Sequence, residues 1–116
     1  MRRAAVFSVL VLAALTARAL AATVAISPAG ARAHVGDRVT VTGVVSDAYH
    51  EGGSGETVIE MGPSFSAVYY ADSNGLPFPD PVGLEGHTIS VTGTVQMDEG
   101  KPEIVANAPS QVQVGR

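Results

Sequence analysis

Two short stretches of this sequence gather the side chains that could do chemistry. "DAYHEGGSGE" (Asp47 to Glu56) carries an aromatic ring, an imidazole and carboxylates, and "MDEGK" (Met97 to Lys101) sets Asp98 and Glu99 beside a lysine. A third stretch, "FSAVYYA" (Phe65 to Ala71), holds Tyr69 and Tyr70. An exposed tyrosine ring can stack on a flat group, and stacking one nucleic-acid base contributes roughly 1–3 kcal/mol. His50 and Glu51 with Asp47, and Asp98 with Glu99, are ligand types for a divalent cation if the two stretches converge; they are equally the solvated carboxylates of an acidic protein. Catalysis finds no foothold. There is no cysteine nucleophile, G-x-S-x-G elbow, H-E-x-x-H pair or phosphate-cradling glycine loop. His34, His50 and His87 lack metal-ligand spacing, and "DSNG" from Asp72 lacks the later acidic register and glutamate of a calcium loop, so it reads as a turn. The sequence therefore reads as a non-enzyme with no cofactor.

Strands must position these residues. "GDRVTVTGVV" (Gly36 to Val45) returns as "GHTISVTGTV" (Gly86 to Val95), with Gly36/Gly86, Val41/Val91, Thr42/Thr92, Gly43/Gly93 and Val45/Val95 identical. Both copies alternate with period two, Val39, Val41 and Val45 on one face against Thr40 and Thr42, then Ile89, Val91, Val95 and Met97 against Ser90, Thr92 and Thr94. That alternation of β-branched residues predicts half-buried strands. Gly43 and Gly93 fall on the apolar, inward set, where a glycine predicts a bend. "ETVIEMG" (Glu56 to Gly62) and "FSAVYYA" predict a hairpin about Gly-Pro-Ser; "KPEIVA" (Lys101 to Ala106) and "SQVQV" (Ser110 to Val114) predict two further strands. "DSNGLPFPDPVG" (Asp72 to Gly83), with Pro77, Pro79 and Pro81, forbids a regular helix.

The first residues read as a leader. Arg2 and Arg3, the apolar run Ala4 to Leu15 and the A-x-A pattern at Ala19–Ala21 predict a Sec-type signal peptide over residues 1–21, cut near Ala22, and hence an exported protein, periplasmic or secreted. An uncleaved anchor is the rival, but the run is short of the ~20 residues of a span and Arg18 interrupts it. Residues 22–34 read as a flexible lead-in and residues 35–116 as one domain. Beyond the leader, Arg32, Arg38, Lys101 and Arg116 stand against all 11 acidic residues, a net charge of −7. Nucleic-acid binders neutralise phosphates with Lys and Arg, and this chain has few to offer. Without cysteine there is no disulfide framework, so so small a domain needs a closed or nearly closed sheet.

A long bent strand, a hairpin, a crossover, a second long bent strand and a short last strand is the order of the OB-fold, a five-stranded Greek-key barrel. "VTVTGVVSD" with "ISVTGTVQMDEGKPEIVANAPSQVQV" also resembles the bacterial OB-fold nucleic-acid-binding-like domains, in which V-T-G-x-V, a short turn and G-x-P-x-I-V form the last hairpin. The resemblance covers roughly Val35 to Val114 and implies an all-β OB barrel, with the Pro-rich loop here in place of the usual crossover helix. It implies a binding face on the second and third strands, flanked by Asp47–Glu56 and Met97–Lys101, with Tyr70, Tyr49, His50, Lys101 and Glu60 as ligand-binding residues. No metal site is expected; Asp47, Glu51, Asp98 and Glu99 are the residues that come nearest to one, and they read first as ordinary loop carboxylates. Tyr69 and Tyr70, as strand neighbours, point to opposite faces; the more apolar set Phe65/Ala67/Tyr69 assigns Tyr69 to the core edge and Tyr70 to the exposed face.

Three functions follow as expectations. The first is an exported binding module for a small or extended ligand or a partner protein. The second, suggested by the resemblance and opposed by the charge, is single-stranded DNA binding. The third is a structural or stress-related envelope domain.

Overall fold

The computed structural model describes residues 23–53, 55–70 and 78–115; the expected signal peptide and Asp72 to Pro77, with the "DSNG" turn, lie outside them. Among the described residues the strands are β1 (Val24–Ile26), β2 (Arg38–Val44), β3 (Asp47–His50), β4 (Glu56–Glu60), β5 (Ser66–Tyr70), β6 (Thr88–Thr94), β7 (Gln96–Asp98), β8 (Lys101–Ala106) and β9 (Val112–Val114). Short 3-10 helices span Pro28–His34, Gly62–Ser64 and Pro109–Gln111.

The two copies of the repeat are each other's partners. β2 and β6 pair antiparallel, with Val41 opposite Val91 and Thr40 opposite Thr92. The surrounding hydrogen bonds obey the same approximate twofold: Gly36 N donates to Val95 O (2.8 Å) and Gly86 N to Val45 O (2.9 Å), while Val45 N donates to His87 O (2.9 Å) and Val95 N to Asp37 O (3.0 Å). Gly36 and Gly86 both take left-handed backbone, φ 91 and 85, which admits glycine without strain. The apolar sets face inward, with Val39, Val41, Val45, Ile89, Val91 and Val95 all buried. On the other face Thr40 Oγ1 meets Thr92 Oγ1 and Thr42 Oγ1 meets Ser90 Oγ, each at 2.8 Å.

Gly43 and Gly93 lie two residues before the points where the long strands change partners. The β2–β6 ladder runs unbroken through both glycines, and the strands leave it at Val45–Ser46 and at Val95. What the glycines provide is room. A Cβ on Gly93 would lie 2.5 Å from Ile104 Cγ2, and one on Gly43 would meet Pro28 Cγ and come within 3.2 Å of Met61 Sδ.

Past those points the long strands continue as β3 and β7, the two edges of a five-stranded sheet ordered β3-β4-β5-β8-β7. β5 and β8 run parallel, and the other neighbours in that sheet are antiparallel. With β2–β6 pairing between their other halves, the circuit of strands closes. The architecture is an all-β OB barrel, its core built on Phe65, Ile59, Ile89 and Ile104 with the inward valines.

Chain outside the circuit packs against it. Val24 to His34, within the stretch expected as a flexible lead-in, is paired and packed: β1 lies parallel to β2, Ala31 is fully buried, and Arg32 Nη2 donates to Gly100 O at 2.9 Å. Small Ala and Gly side chains let this segment approach closely, with Pro28 over Gly43. Of the Pro-rich segment, the described part from Phe78 holds neither helix nor strand. Phe78 stacks on Tyr69 with centroids 4.5 Å apart, Tyr69 Oη donates to Pro79 O, and Leu84 is buried. The last strand is shorter than expected. Gln111 Oε1 accepts from Asn107 N (2.9 Å) and Ala108 N (3.0 Å), holding Pro109–Gln111 as a turn so that β9 begins only at Val112.

Candidate nucleic-acid or partner interface on the outer sheet face

Strand alternation fixes what the outer face of the five-stranded sheet presents. Its middle row follows the register from Tyr49 through Val58 and Val68 to Val105. On one side runs Asp47, Glu60, Ser66, Glu103 and Gln96; on the other Glu56 pairs with Tyr70. Lys101 and Asp98, opposite each other at the β7–β8 turn, complete the face. Val58 and Val68 are nearly inaccessible yet stand outside the barrel core, so the accessible apolar surface here is chiefly the rings of Tyr49 (39% exposed) and Tyr70 (49%).

Each ring is tied by its hydroxyl to a carboxylate on β4, the strand between them. Tyr49 Oη donates to Glu60 Oε2 at 3.3 Å, and Tyr70 Oη donates to Glu56 Oε2 at 3.0 Å. Desolvation and the Glu60 charge raise the Tyr49 hydroxyl above its ordinary pKa; for Tyr70 the hydrogen bond to Glu56 and the charge of that carboxylate do the same. Glu60 also accepts from Lys101 Nζ at 3.1 Å. Desolvation, with the charges of Asp98 and Glu56, raises the Glu103 pKa against the lowering effect of the hydrogen bond it accepts from Gln96 Nε2 at 3.1 Å. Carboxylates at Asp47, Glu56, Glu60, Asp98 and Glu103 thus share the face with Lys101. The face is acidic.

The expected site residues divide. Tyr49, Tyr70, Glu60 and Lys101 come together on this face, and Tyr69 lies in the core, 2% exposed. His50 belongs to the opposite side of β3, its Nδ1 3.1 Å from Thr57 Oγ1, because strand neighbours alternate. The loop expected over Asp47–Glu56 is shorter, since Asp47–His50 pair with β4 and only the turn from Glu51 to Gly55 remains. Among the described residues there is no group of three or more His, Asp or Glu that could hold an ion. Glu99, at φ 50 beside Gly100 at φ 83, is a residue of the tight β7–β8 turn. Glu56 and Glu103 join the face with no local motif to mark them. The alternation of "KPEIVA", with Pro102, Ile104 and Ala106 buried, was the signal that Lys101 and Glu103 share a face.

No family model matches the chain, and no curated protein matches it. Among solved structures it is similar to the crystal structure of an aspartyl-tRNA synthetase from Leishmania major Friedlin, with a TM-score of 0.51 and 12% identity over 80% of this chain and 21% of that one. The chain is an OB-fold. It spans about a fifth of the synthetase chain, and at that identity the likeness carries the fold alone. No helix among the described residues is long and apolar enough to cross a membrane.

Proposed function

We propose that this protein is an exported, non-catalytic binding module whose site is the outer face of the β3-β4-β5-β8-β7 sheet, taking an extended ligand or a segment of a partner protein. The observation that carries the reading is the placement of Tyr49 and Tyr70 on either side of β4, each exposed and each held by its hydroxyl to a glutamate of that strand. Rings fixed in this way are rigid contact surface, which loses little conformational entropy on binding. The leader pattern at Arg2–Ala21 supports export. Single-stranded DNA is the weaker alternative. Lys101 is the basic residue that the face supplies, and it is already paired with Glu60. A purely structural envelope domain would leave the exposed rings without a use.

The test is isotope-labelled protein titrated separately with peptides, glycans and oligothymidine while backbone resonances are followed. Whichever class binds should move resonances of Glu56–Glu60, Ser66–Tyr70 and Lys101–Val105. Perturbations confined to the Thr/Ser face of β2 and β6 would sink the assignment. Intact mass tests export separately: a soluble product beginning near Ala22 is expected, and a membrane-bound product retaining residues 1–21 would refute it.

A further inference from the structure

Resting on that reading of the face, we infer that its occupant is an extended basic peptide segment of a partner protein, with two lysines or arginines seated at the Tyr49–Glu60 and Tyr70–Glu56 pairs. Each pair sets a carboxylate at the hydroxyl edge of an exposed ring: Tyr49 Oη lies 3.3 Å from Glu60 Oε2 and Tyr70 Oη 3.0 Å from Glu56 Oε2. An ammonium or guanidinium above such a ring gains attraction from the ring quadrupole and from the neighbouring anion together. Neither an anionic nor a neutral ligand gains both. The rest of the face has the same sign, for Asp47, Asp98 and Glu103 stand on it with Glu56 and Glu60. A cation arriving here meets complementary charge. At the Tyr49 seat the incoming cation shares Glu60 with Lys101, whose Nζ lies 3.1 Å from Glu60 Oε1, so attraction there comes from the ring and from the remaining acidic charge of the face.

The register also sets the spacing of the two charges. Tyr49 lies opposite Val58 and Tyr70 opposite Glu56, so the rings are two strands apart and offset by two residues along β4. With strands ~4.8 Å apart and a rise of ~3.4 Å per residue, their Cα atoms are separated by about 12 Å. In an extended peptide, side chains on one face recur at ~7 Å (i, i+2) and ~14 Å (i, i+4), and long basic side chains absorb the remaining difference. The matching ligand carries basic residues at i and i+4. Charges at i and i+2 fit worse, because their side chains must splay apart by about 5 Å to reach both rings.

The experiment uses fluorescein-labelled nine-residue peptides of alternating Thr and Val with the soluble protein recovered after expression of the full chain. One peptide carries lysines at i and i+4, and companions carry glutamine at both places, glutamate at both, or lysines at i and i+2. Anisotropy should show the i, i+4 lysine peptide binding at least about tenfold more tightly than the glutamine peptide, with no binding of the glutamate peptide. Glu56→Gln should weaken the lysine peptide about fivefold or more, and Glu56→Lys should transfer preference toward a peptide with glutamate at one of the two places, which guards against a variant that merely misfolds. Equal binding of the glutamine peptide, with resonance shifts still on the Tyr49 and Tyr70 face, would overturn the cationic class while leaving the face as the site. Lysine-peptide shifts mapping elsewhere, or no binding of that peptide at millimolar concentration, would overturn the inference, and shifts elsewhere would overturn the site as well.

Discussion

Lys101 Nζ donates to Glu60 Oε1 at 3.1 Å, reaching from β8 past β5 to β4, so the lysine of the outer face is neutralised by that face. Both side chains keep about three-tenths of their surface in solvent, so the pair contributes at most about 1 kcal/mol. Lys101→Ala should therefore move the thermal midpoint little. It should also leave oligothymidine binding where it began, weak or undetectable at physiological salt, because a chain this acidic repels a polyanion. Filter binding and anisotropy over a salt series test both halves. Tight, cation-independent DNA binding that weakens steeply with salt and is lost in Lys101→Ala would overturn the ranking of functions, since that slope counts phosphate contacts.

Tyr69 gives an alkaline signature. Burial, with a smaller contribution from the Asp80 charge, pushes its hydroxyl up to about 12, and Oη donates to Pro79 O while Phe78 covers the ring. A group whose folded pKa is raised contributes stability in full below its unfolded value near 10, and that contribution is lost as pH rises toward 12. Urea melts of wild type and Tyr69→Phe should show wild type more stable at neutral pH, with the gap shrinking across that alkaline window. A constant gap would mean that Tyr69 ionises as freely folded as unfolded, contrary to its burial.

The barrel was legible in the sequence because its signals are periodic. Alternation in Val39–Val45 and Ile89–Val95 identified both long strands and their inward faces, and the parity of Phe65, Ala67 and Tyr69 separated the buried tyrosine from the exposed one. The exact use of the glycines was not legible, because what they accommodate, Pro28 and Ile104, comes from distant chain. Nor was the acidity of the site. Glu56, Glu60 and Glu103 meet only through the β4-β5-β8 register, and the parallel β5–β8 pairing has no local sequence mark. Met97 shows the limit of parity: it continues the inward set yet is 40% exposed, on the edge strand of the five-stranded sheet.

Glu103 predicts a gain rather than a loss. Its pKa is raised, first by desolvation and then by Asp98 and Glu56, against a lowering hydrogen bond from Gln96, so holding it charged at neutral pH destabilises the fold. The sign follows from linkage: the folded state binds the proton more readily, so stability from this group rises as pH falls through its folded pKa. Glu103→Gln, whose amide oxygen can still accept from Gln96, should raise the thermal midpoint at neutral pH. The advantage should fade below about pH 4, where wild type is protonated too. A variant less stable than wild type at neutral pH would show that the Gln96 bond outweighs the crowding.

Two pairs of repeat glycines should fail by different physics. Gly36 and Gly86 have no atom within 4 Å of an added Cβ, so alanine there meets only the left-handed backbone, a penalty of roughly 1–2 kcal/mol. Gly93 has ordinary backbone but no space, its added Cβ lying 2.5 Å from Ile104 Cγ2, and Gly43 is blocked by Pro28. Valine at either of these inward glycines should lose about 1–3 kcal/mol through overpacking. The mechanisms separate in a double-mutant cycle. Ile104→Ala removes the atom that Gly93→Ala strikes, so the two changes together should cost less than their sum, whereas Ile104→Ala should not rescue Gly36→Ala. Strict additivity of Gly93→Ala with Ile104→Ala in urea melts would show that this glycine is needed for its backbone, as a bent strand requires.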